Sequence, residues 1–190
     1  MLTSHTIDQS RPKRLAIFIE GTDLEEAAHA LGGAIDFRKL REIFSDRGEL
    51  LRASYYALTL DGSYFSGRPL LDWLVYNGFT VRERAAPDTP GQRASQHARG
   101  ALAMELAIDV LDLAPHVGTV ILFTGGGQFV PLLDSLKRRG PRVVIVSTIK
   151  TKPALISPDL RRMADEFVDL ADLFPRIAME SRARDRKPVP

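Results

Sequence analysis

The stretch from Thr119 to Leu133, TVILFTGGGQFVPLL, constrains the fold more than any other part of the chain. Val120 to Phe123 form a short continuous apolar run, which is typical of a central parallel strand covered on both faces. Gly125 to Gly127 follow, and glycine backbone readily adopts positive φ or comes close to a ligand or another chain segment. From Gln128 the apolar residues recur at helical spacing. The stretch therefore predicts a strand, a glycine turn and a helix, with the turn at the functional edge of a parallel sheet.

Short apolar strands and amphipathic helices alternate along the rest of the chain. We expect further strands at about 15–19, 50–60, 79–83, 142–147 and 167–170. Helices are expected at about 24–31, 36–46, 70 to the Asn77-Gly78 stop, 99–113, from Ser157-Pro158 and after 170. This alternation predicts an α/β fold, specifically a three-layer α/β/α sandwich with a mostly parallel central sheet and right-handed crossovers.

The chain is interpreted as one domain with two polar ends. We place the domain at 14–179, between a flexible N-terminal arm at 1–13 and a basic C-terminal tail at 180–190. Residues 85–98 contain two prolines and a glycine, and they are expected to form a mobile loop. A chain of 190 residues, 44% of them hydrophobic, is long enough to bury one substantial core.

Composition excludes several classes of protein. The chain has no cysteine, which rules out disulfides, thiolate metal ligands and cysteine nucleophiles. No apolar run reaches membrane-spanning length, and a cysteine-free chain suits a reducing compartment, so we expect a cytoplasmic protein. The formal net charge is only +2, so local basic clusters say more about polyanionic partners than the total charge does.

Polar side chains follow the predicted strands that begin near Leu15, Val120 and Arg142. If these strands are parallel neighbours, one sheet edge carries Glu20, Thr22, Asp23, Thr124, Gln128, Ser147 and Thr148. Glu20 and Asp23 are the two carboxylates of this set, and Mg²⁺ is often held by one or two carboxylates together with substrate phosphates. The structural alternative is that Asp23 caps a helix and Glu20 is a charge at the end of a strand.

The glycine turn has two interpretations. A helix N-terminus behind flexible backbone amides attracts anions, which favours a phosphate site. However, the turn lacks the Gly-Lys-Ser/Thr ending of a nucleoside-triphosphate loop, and Val130 stands where a dinucleotide fingerprint has its third glycine. A tight turn that requires glycine is the commoner explanation.

Five segments, in this order, carry a resemblance to a known family: LAIFIEGTDL (15–24), DWLVYNGF (72–79), RGALAMELAID (99–109), LFTGGGQFVPL (122–132) and STIK (147–150). They resemble the LabA-like branch of the NYN family, which is related to the PIN-domain ribonucleases. The resemblance covers about 14–173. It implies a PIN-like fold and an RNA hydrolase in which acidic side chains hold Mg²⁺ or Mn²⁺.

The chain departs from the acidic pattern of that family. The family has FIDGSN at the first strand, an aspartate near the start of the central helix, and SGDGDF at the central strand. In this chain Glu20 replaces the first aspartate, Thr22-Asp23 replaces Ser-Asn, and the other three aspartates fall on Ala103, Gly126 and Gln128. The resemblance therefore implies Glu20 and Asp23 as the remaining catalytic or metal-binding acids of a degenerate site.

These losses predict a catalytically impaired pseudo-ribonuclease that binds RNA or a nucleotide, or acts as a regulatory module. No cofactor is expected in that case; Mg²⁺ or Mn²⁺ is expected only in the alternative, an active endoribonuclease using Glu20 and Asp23. A third hypothesis is a homodimer, or a heterodimer with an intact relative. The residues expected to contact nucleic acid or phosphate are Thr22, Arg99, Thr124, Gly125, Gly127, Lys150, Lys152 and Arg161.

Overall fold

The computed structural model describes residues 14–60, 67–86 and 92–180, without the side chains of 60 and 92–95. Six strands lie in these ranges. They are β1 (Arg14–Glu20), β2 (Glu49–Leu60), β3 (Thr80–Ala86), β4 (Thr119–Phe123), β5 (Arg142–Ser147) and β6 (Glu166–Asp169). The predicted arm at 1–13 and the tail from 181 lie outside the described residues, so the division into arm, domain and tail remains a prediction.

Seven α-helices lie in the described ranges. They are α1 (Gly21–Ala30), α2 (Phe37–Ser45), α3 (Arg68–Tyr76), α4 (Gln92–Leu113), α5 (Val130–Arg139), α6 (Pro158–Met163) and α7 (Leu170–Ile177). Short 3₁₀ turns occupy Ala114–His116 and Gly127–Phe129. None of the helices within those ranges combines the length and apolar character needed to cross a bilayer.

The six strands form one sheet in the order β3-β2-β1-β4-β5-β6, and every recorded strand pairing is parallel. Ile17 in β1 lies opposite Ala53 in β2 and Ile121 in β4. Strands β2 and β3 lie on one side of β1, whereas β4 to β6 lie on the other. The strand order therefore reverses between β1 and β4. Ligands of open α/β sheets bind at such topological switch points.

Side chains alternate between the two faces of the sheet and produce two cores. Ile17 and Ile19 pack in a cluster with residues of α1, α2, α3 and α7. Phe18 packs in a second cluster with residues of α4, α5 and α6. The predicted three-layer α/β/α fold with a parallel sheet is therefore confirmed.

The expected mobile loop at 85–98 is largely wrong. Strand β3 continues to Ala86, and α4 already begins at Gln92, so only 87–91 separate them, and these lie outside the described residues. The breaker residues Pro87, Pro90 and Gly91 all precede α4, whereas the following residues are rich in alanine, glutamine and arginine, which favour a helix. The prolines and the glycine near the start of the segment therefore do not make all of 85–98 a loop.

Candidate functional site

The carboxyl ends of β1 and β4 lie side by side at the switch point of the sheet. Strand β1 leads directly into α1, and β4 leads into the glycine turn before α5. The sequence-based expectation that β1, β4 and β5 are parallel neighbours is confirmed. This arrangement brings the first turn of α1 against the turn that follows β4.

Glu20 is the N-cap of α1, and its carboxylate oxygen Oε2 accepts a hydrogen bond from the backbone N–H of Asp23 at 2.5 Å. The sequence-based alternative of an Asp23 cap lies three residues too late. The first residue of the helix is Gly21, where a Cβ atom would lie 2.7 Å from the Tyr55 ring. Close approach of β2 therefore requires glycine at the first position of α1.

Burial perturbs the Glu20 carboxyl group. Only 7% of the residue is exposed, and this burial raises the pKa of Glu20 from 4.5 to about 7. The negative charge of Asp23 raises the pKa further, whereas the positive charge of Arg99 opposes the rise. Near neutral pH, Glu20 therefore exchanges between the protonated and ionised forms.

Asp23 joins α1 to the turn that follows β4. Its Oδ2 atom accepts a hydrogen bond from the Thr124 hydroxyl at 2.6 Å and another from the Gly125 N–H at 2.9 Å. The Thr124 oxygen in turn accepts the N–H of Gly126 at 3.1 Å. Thr124 is only 2% exposed, so these bonds satisfy polar groups that water does not reach.

The glycine turn is explained by packing rather than by positive φ. Glycines with positive φ in the described ranges are Gly32, Gly78 and Gly140, so this turn uses the other property of glycine, close approach to a neighbouring segment. A Cβ atom on Gly125 would lie 1.6 Å from the carbonyl oxygen of Leu155. The loop after β5 is thus pressed against the turn, which is the close approach to another chain segment that glycine permits.

Hydrogen bonds also limit the anion-binding capacity of the turn. The Gly125 N–H is donated to Asp23, and the Gly126 N–H is donated to Thr124. The Gly125 carbonyl accepts the N–H of Ser157 at 2.8 Å. Gly125 is buried and Gly127 is exposed, so of these two predicted phosphate contacts only Gly127 faces solvent.

Gly126 and Gln128 pack as a pair. The Oε1 and Nε2 atoms of Gln128 lie 2.3 and 2.4 Å from the position that a Cβ atom on Gly126 would occupy. Any side chain at position 126 would therefore displace the Gln128 amide. Ala103 lies nearby on α4, and together with Gln128 it lines a groove of about 400 Å³ between α4 and α5. The three substituted family positions thus lie around one region.

The four predicted cationic contacts differ in their surroundings. Arg99 is exposed, and its charge acts on Glu20. Lys150 forms an ion pair with Asp172 in α7. The Arg161 guanidinium lies over the Phe167 ring, 4.9 Å from its centroid, and Lys152 is exposed. Lys150 and Arg161 therefore make contacts within the chain, although their heads remain accessible to solvent.

Tyr55 and Tyr56 in β2 are core residues. Tyr55 and Tyr56 are 1% and 0% exposed, and this burial raises the pKa of both hydroxyl groups. The Tyr55 hydroxyl donates to Glu25 at 2.6 Å, and the Tyr56 hydroxyl donates to Asp109 at 2.8 Å. Both rings therefore belong to the packed interior and are not available to stack on bases.

The metal ions implied by the resemblance do not fit this set of ligands. Among the described residues, no group of three or more His, Cys, Asp or Glu side chains is placed to hold a metal ion. Glu20 and Asp23 each already accept hydrogen bonds from backbone N–H groups. Two such acids supply too little charge and too few free oxygens for a two-metal centre.

A parallel α/β/α sheet with acidic residues at its β1–β4 switch point is the arrangement of PIN-like domains. Within that class, the chain belongs to the NYN domain family, whose model matches residues 14–171. The aligned relatives agree with this assignment. Over 167 residues the chain is 30% identical to "Low amplitude and bright protein LabA" of Synechococcus elongatus, covering 86% of this chain and 87% of that protein.

Two more distant similarities extend the comparison. The chain is 22% identical to the uncharacterized protein MJ0482 of Methanocaldococcus jannaschii over 91% of its own length, which corresponds to 63% of that relative. A crystal structure of a protein of unknown function, VPA0982 from Vibrio parahaemolyticus, superposes with a TM-score of 0.69 at 21% identity. That match covers 91% of this chain and 100% of the other, and it supports the fold.

Proposed function

We propose that this protein binds single-stranded RNA at the carboxyl edge of its sheet without hydrolysing it through bound metal ions. One observation carries the proposal: the two acids that remain at the site hold the backbone together. Glu20 caps α1, and Asp23 ties α1 to the turn at Thr124 and Gly125. Their carboxylates therefore stabilise the backbone in the region where the family carries its acidic residues.

The chemistry of these two acids supports impaired catalysis. A metal ion would compete with a proton for Glu20, whose pKa is about 7, and two hydrogen bonds already occupy the Oδ2 atom of Asp23. Ala103 and Gly126 supply no side-chain oxygen, and Gln128 supplies no charge. Water can complete a coordination shell but cannot balance the charge of a second divalent ion.

RNA binding is supported by exposed positive charge at the same edge. Arg99 lies near Glu20, and Lys152 is exposed on the loop between β5 and α6. Loss of three carboxylates lowers the repulsion between the site and a phosphate backbone. Family membership independently indicates a nuclease-like or RNA-binding domain.

Fluorescence anisotropy with a labelled single-stranded RNA at low salt tests binding. The double variant Arg99→Ala/Lys152→Ala should weaken binding at least about tenfold and reduce the salt dependence by one to two phosphate contacts, or roughly 0.7 in slope for each. Lys137→Ala/Arg139→Ala is the matched control, because these residues lie at the end of α5 near the opposite edge of the sheet. Equal losses in both variants, or no binding by the wild type, would refute the proposal.

Cleavage assays with Mg²⁺ or Mn²⁺ test the second part of the proposal, the absence of metal-dependent hydrolysis. The wild type should leave the RNA intact, whereas Ala103→Asp/Gly126→Asp/Gln128→Asp should gain metal-dependent cleavage. All three changes belong together, since a side chain at 126 would clash with the Gln128 amide. Metal-dependent cleavage by the wild type that disappears in Glu20→Ala would instead establish the active endoribonuclease.

A further inference from the structure

An apolar groove of about 400 Å³ lies between α4 and α5, beside the site described above. Its α4 wall includes Ala103, Met104 and Ala107, and its other wall includes Phe129 and Pro131. Met104 is 63% exposed, which leaves its side chain open to a ligand. Most of this groove is therefore apolar surface in contact with solvent.

The groove is continuous with the proposed RNA-binding edge. Gly100 lines it and directly follows Arg99, whose charge acts on Glu20. Gln128 also lines it, and the same side chain packs over Gly126 in the turn. A phosphate near Arg99 would thus place the attached nucleoside within reach of the groove.

We propose that this groove holds a base of the bound RNA, with adenine preferred. The inference rests on the proposed RNA-binding function and names the part of the RNA that the site recognises. A groove of this size falls in the range of small-molecule sites, which are apolar with a few polar groups that fix orientation. The Met104 sulfur provides a favourable contact for an aromatic ring.

Gln128 supplies the preference for adenine. Its exposed amide presents one acceptor and one donor group, the pair that matches the N7 acceptor and N6 donor of adenine. Within the described part of the chain, no hydrogen bond to this amide is recorded, so it is available to a ligand. A covering apolar side chain from another protein would leave the amide without a partner, which is unfavourable.

The test compares binding of an oligoadenylate, an oligouridylate and an abasic oligoribonucleotide of equal length. We expect the wild type to bind oligoadenylate about tenfold more tightly than the abasic chain, in line with one bidentate amide–base pair. Ala107→Leu, which fills the groove, should abolish this difference while the affinity for the abasic chain stays the same. Gln128→Leu should remove the preference for adenylate over uridylate.

Ala101→Leu is the matched control, because Ala101 lies on α4 outside the groove lining and is also only partly exposed. It should retain the wild-type preference. Equal affinity of the wild type for all three chains would overturn the groove inference while leaving RNA binding intact. A failure to bind any of them would refute the proposed function and this inference together.

Sedimentation of the same variants distinguishes base binding from a second explanation, dimerisation through the groove. If the wild type dimerises and Ala107→Leu makes it monomeric without changing base preference, the groove is an interface between two copies and the base proposal is wrong. If the mass stays constant while the preference disappears, the base proposal stands.

Discussion

The carboxyl group of Glu20 should make the stability of this protein depend on pH in a way that one substitution removes. The folded protein raises the pKa of Glu20 from 4.5 to about 7, chiefly by burial. Since the folded state holds the proton more tightly, stability from this group is full below pH 4.5, is lost as pH rises toward 7, and then levels off. The full shift corresponds to about 3 kcal/mol in the free energy of unfolding.

Glu20→Gln removes the titration but retains an oxygen that can accept the Asp23 N–H at the start of α1. Urea unfolding of both proteins at about pH 5 and about pH 8 gives the free energies. The variant should gain roughly 2–3 kcal/mol relative to the wild type between these conditions, because only the wild type must ionise a buried carboxyl group. NMR titration of the side-chain carboxyl carbon should give a midpoint near 7 for Glu20.

Glu26→Gln is the matched control, because Glu26 is exposed on the same helix. Its difference from the wild type should stay constant across the same range. A constant difference for Glu20→Gln as well, or a carbon titration with a midpoint near 4.5, would show that burial does not perturb Glu20 and would weaken the argument against metal binding.

Four further substitutions, one of them a control, test the packing around the site. Gly125→Ala should destabilise the protein by about 3 kcal/mol or more, or prevent folding, because its Cβ atom would meet a loop carbonyl oxygen. Gly100→Ala is the control: no atom lies close to that position in α4, so urea unfolding should show no change or a stabilisation of up to about 1 kcal/mol. Asp23→Ala should lower the free energy of unfolding by about 3 kcal/mol and speed hydrogen exchange in the glycine turn, because the Thr124 hydroxyl and the Gly125 N–H lose their acceptor. Unchanged exchange rates would contradict this role of Asp23. Tyr56→Phe should remove the hydrogen bond from the hydroxyl to Asp109, which is worth about 1 kcal/mol and corresponds to a fall in melting temperature of about 2–4 °C. A larger fall would indicate that the hydroxyl supports more than this contact.

Local patterns predicted most of the secondary structure for physical reasons. The apolar runs of β4 and β5 are buried on both faces, so their sequences required no knowledge of their neighbours. Ser157-Pro158 correctly marked the start of α6, with Ser157 as its N-cap. The start of α4 was missed because prolines and a glycine shortly before it obscured a favourable helical segment.

The roles of the site residues depended on contacts that no local pattern contains. Glycines 125–127 suggested unusual φ angles, an anion site or a close approach to another segment, but only the structure shows that Gly125 meets the Leu155 carbonyl, thirty residues later in the chain. Similarly, the pairing of Gly126 with Gln128 depends on a side-chain conformation that composition does not reveal.

The sequence by itself determined the strands and helices, the family, and which acidic positions are replaced, because these depend on residue identity and periodicity along the chain. Only the tertiary structure decided what the remaining acids do. Asp23 reaches Thr124 and Gly125 because β1 and β4 pair at the centre of the sheet, although the residues lie far apart in sequence. Burial at this junction also holds a proton on Glu20 to unusually high pH, since a charge there is poorly solvated.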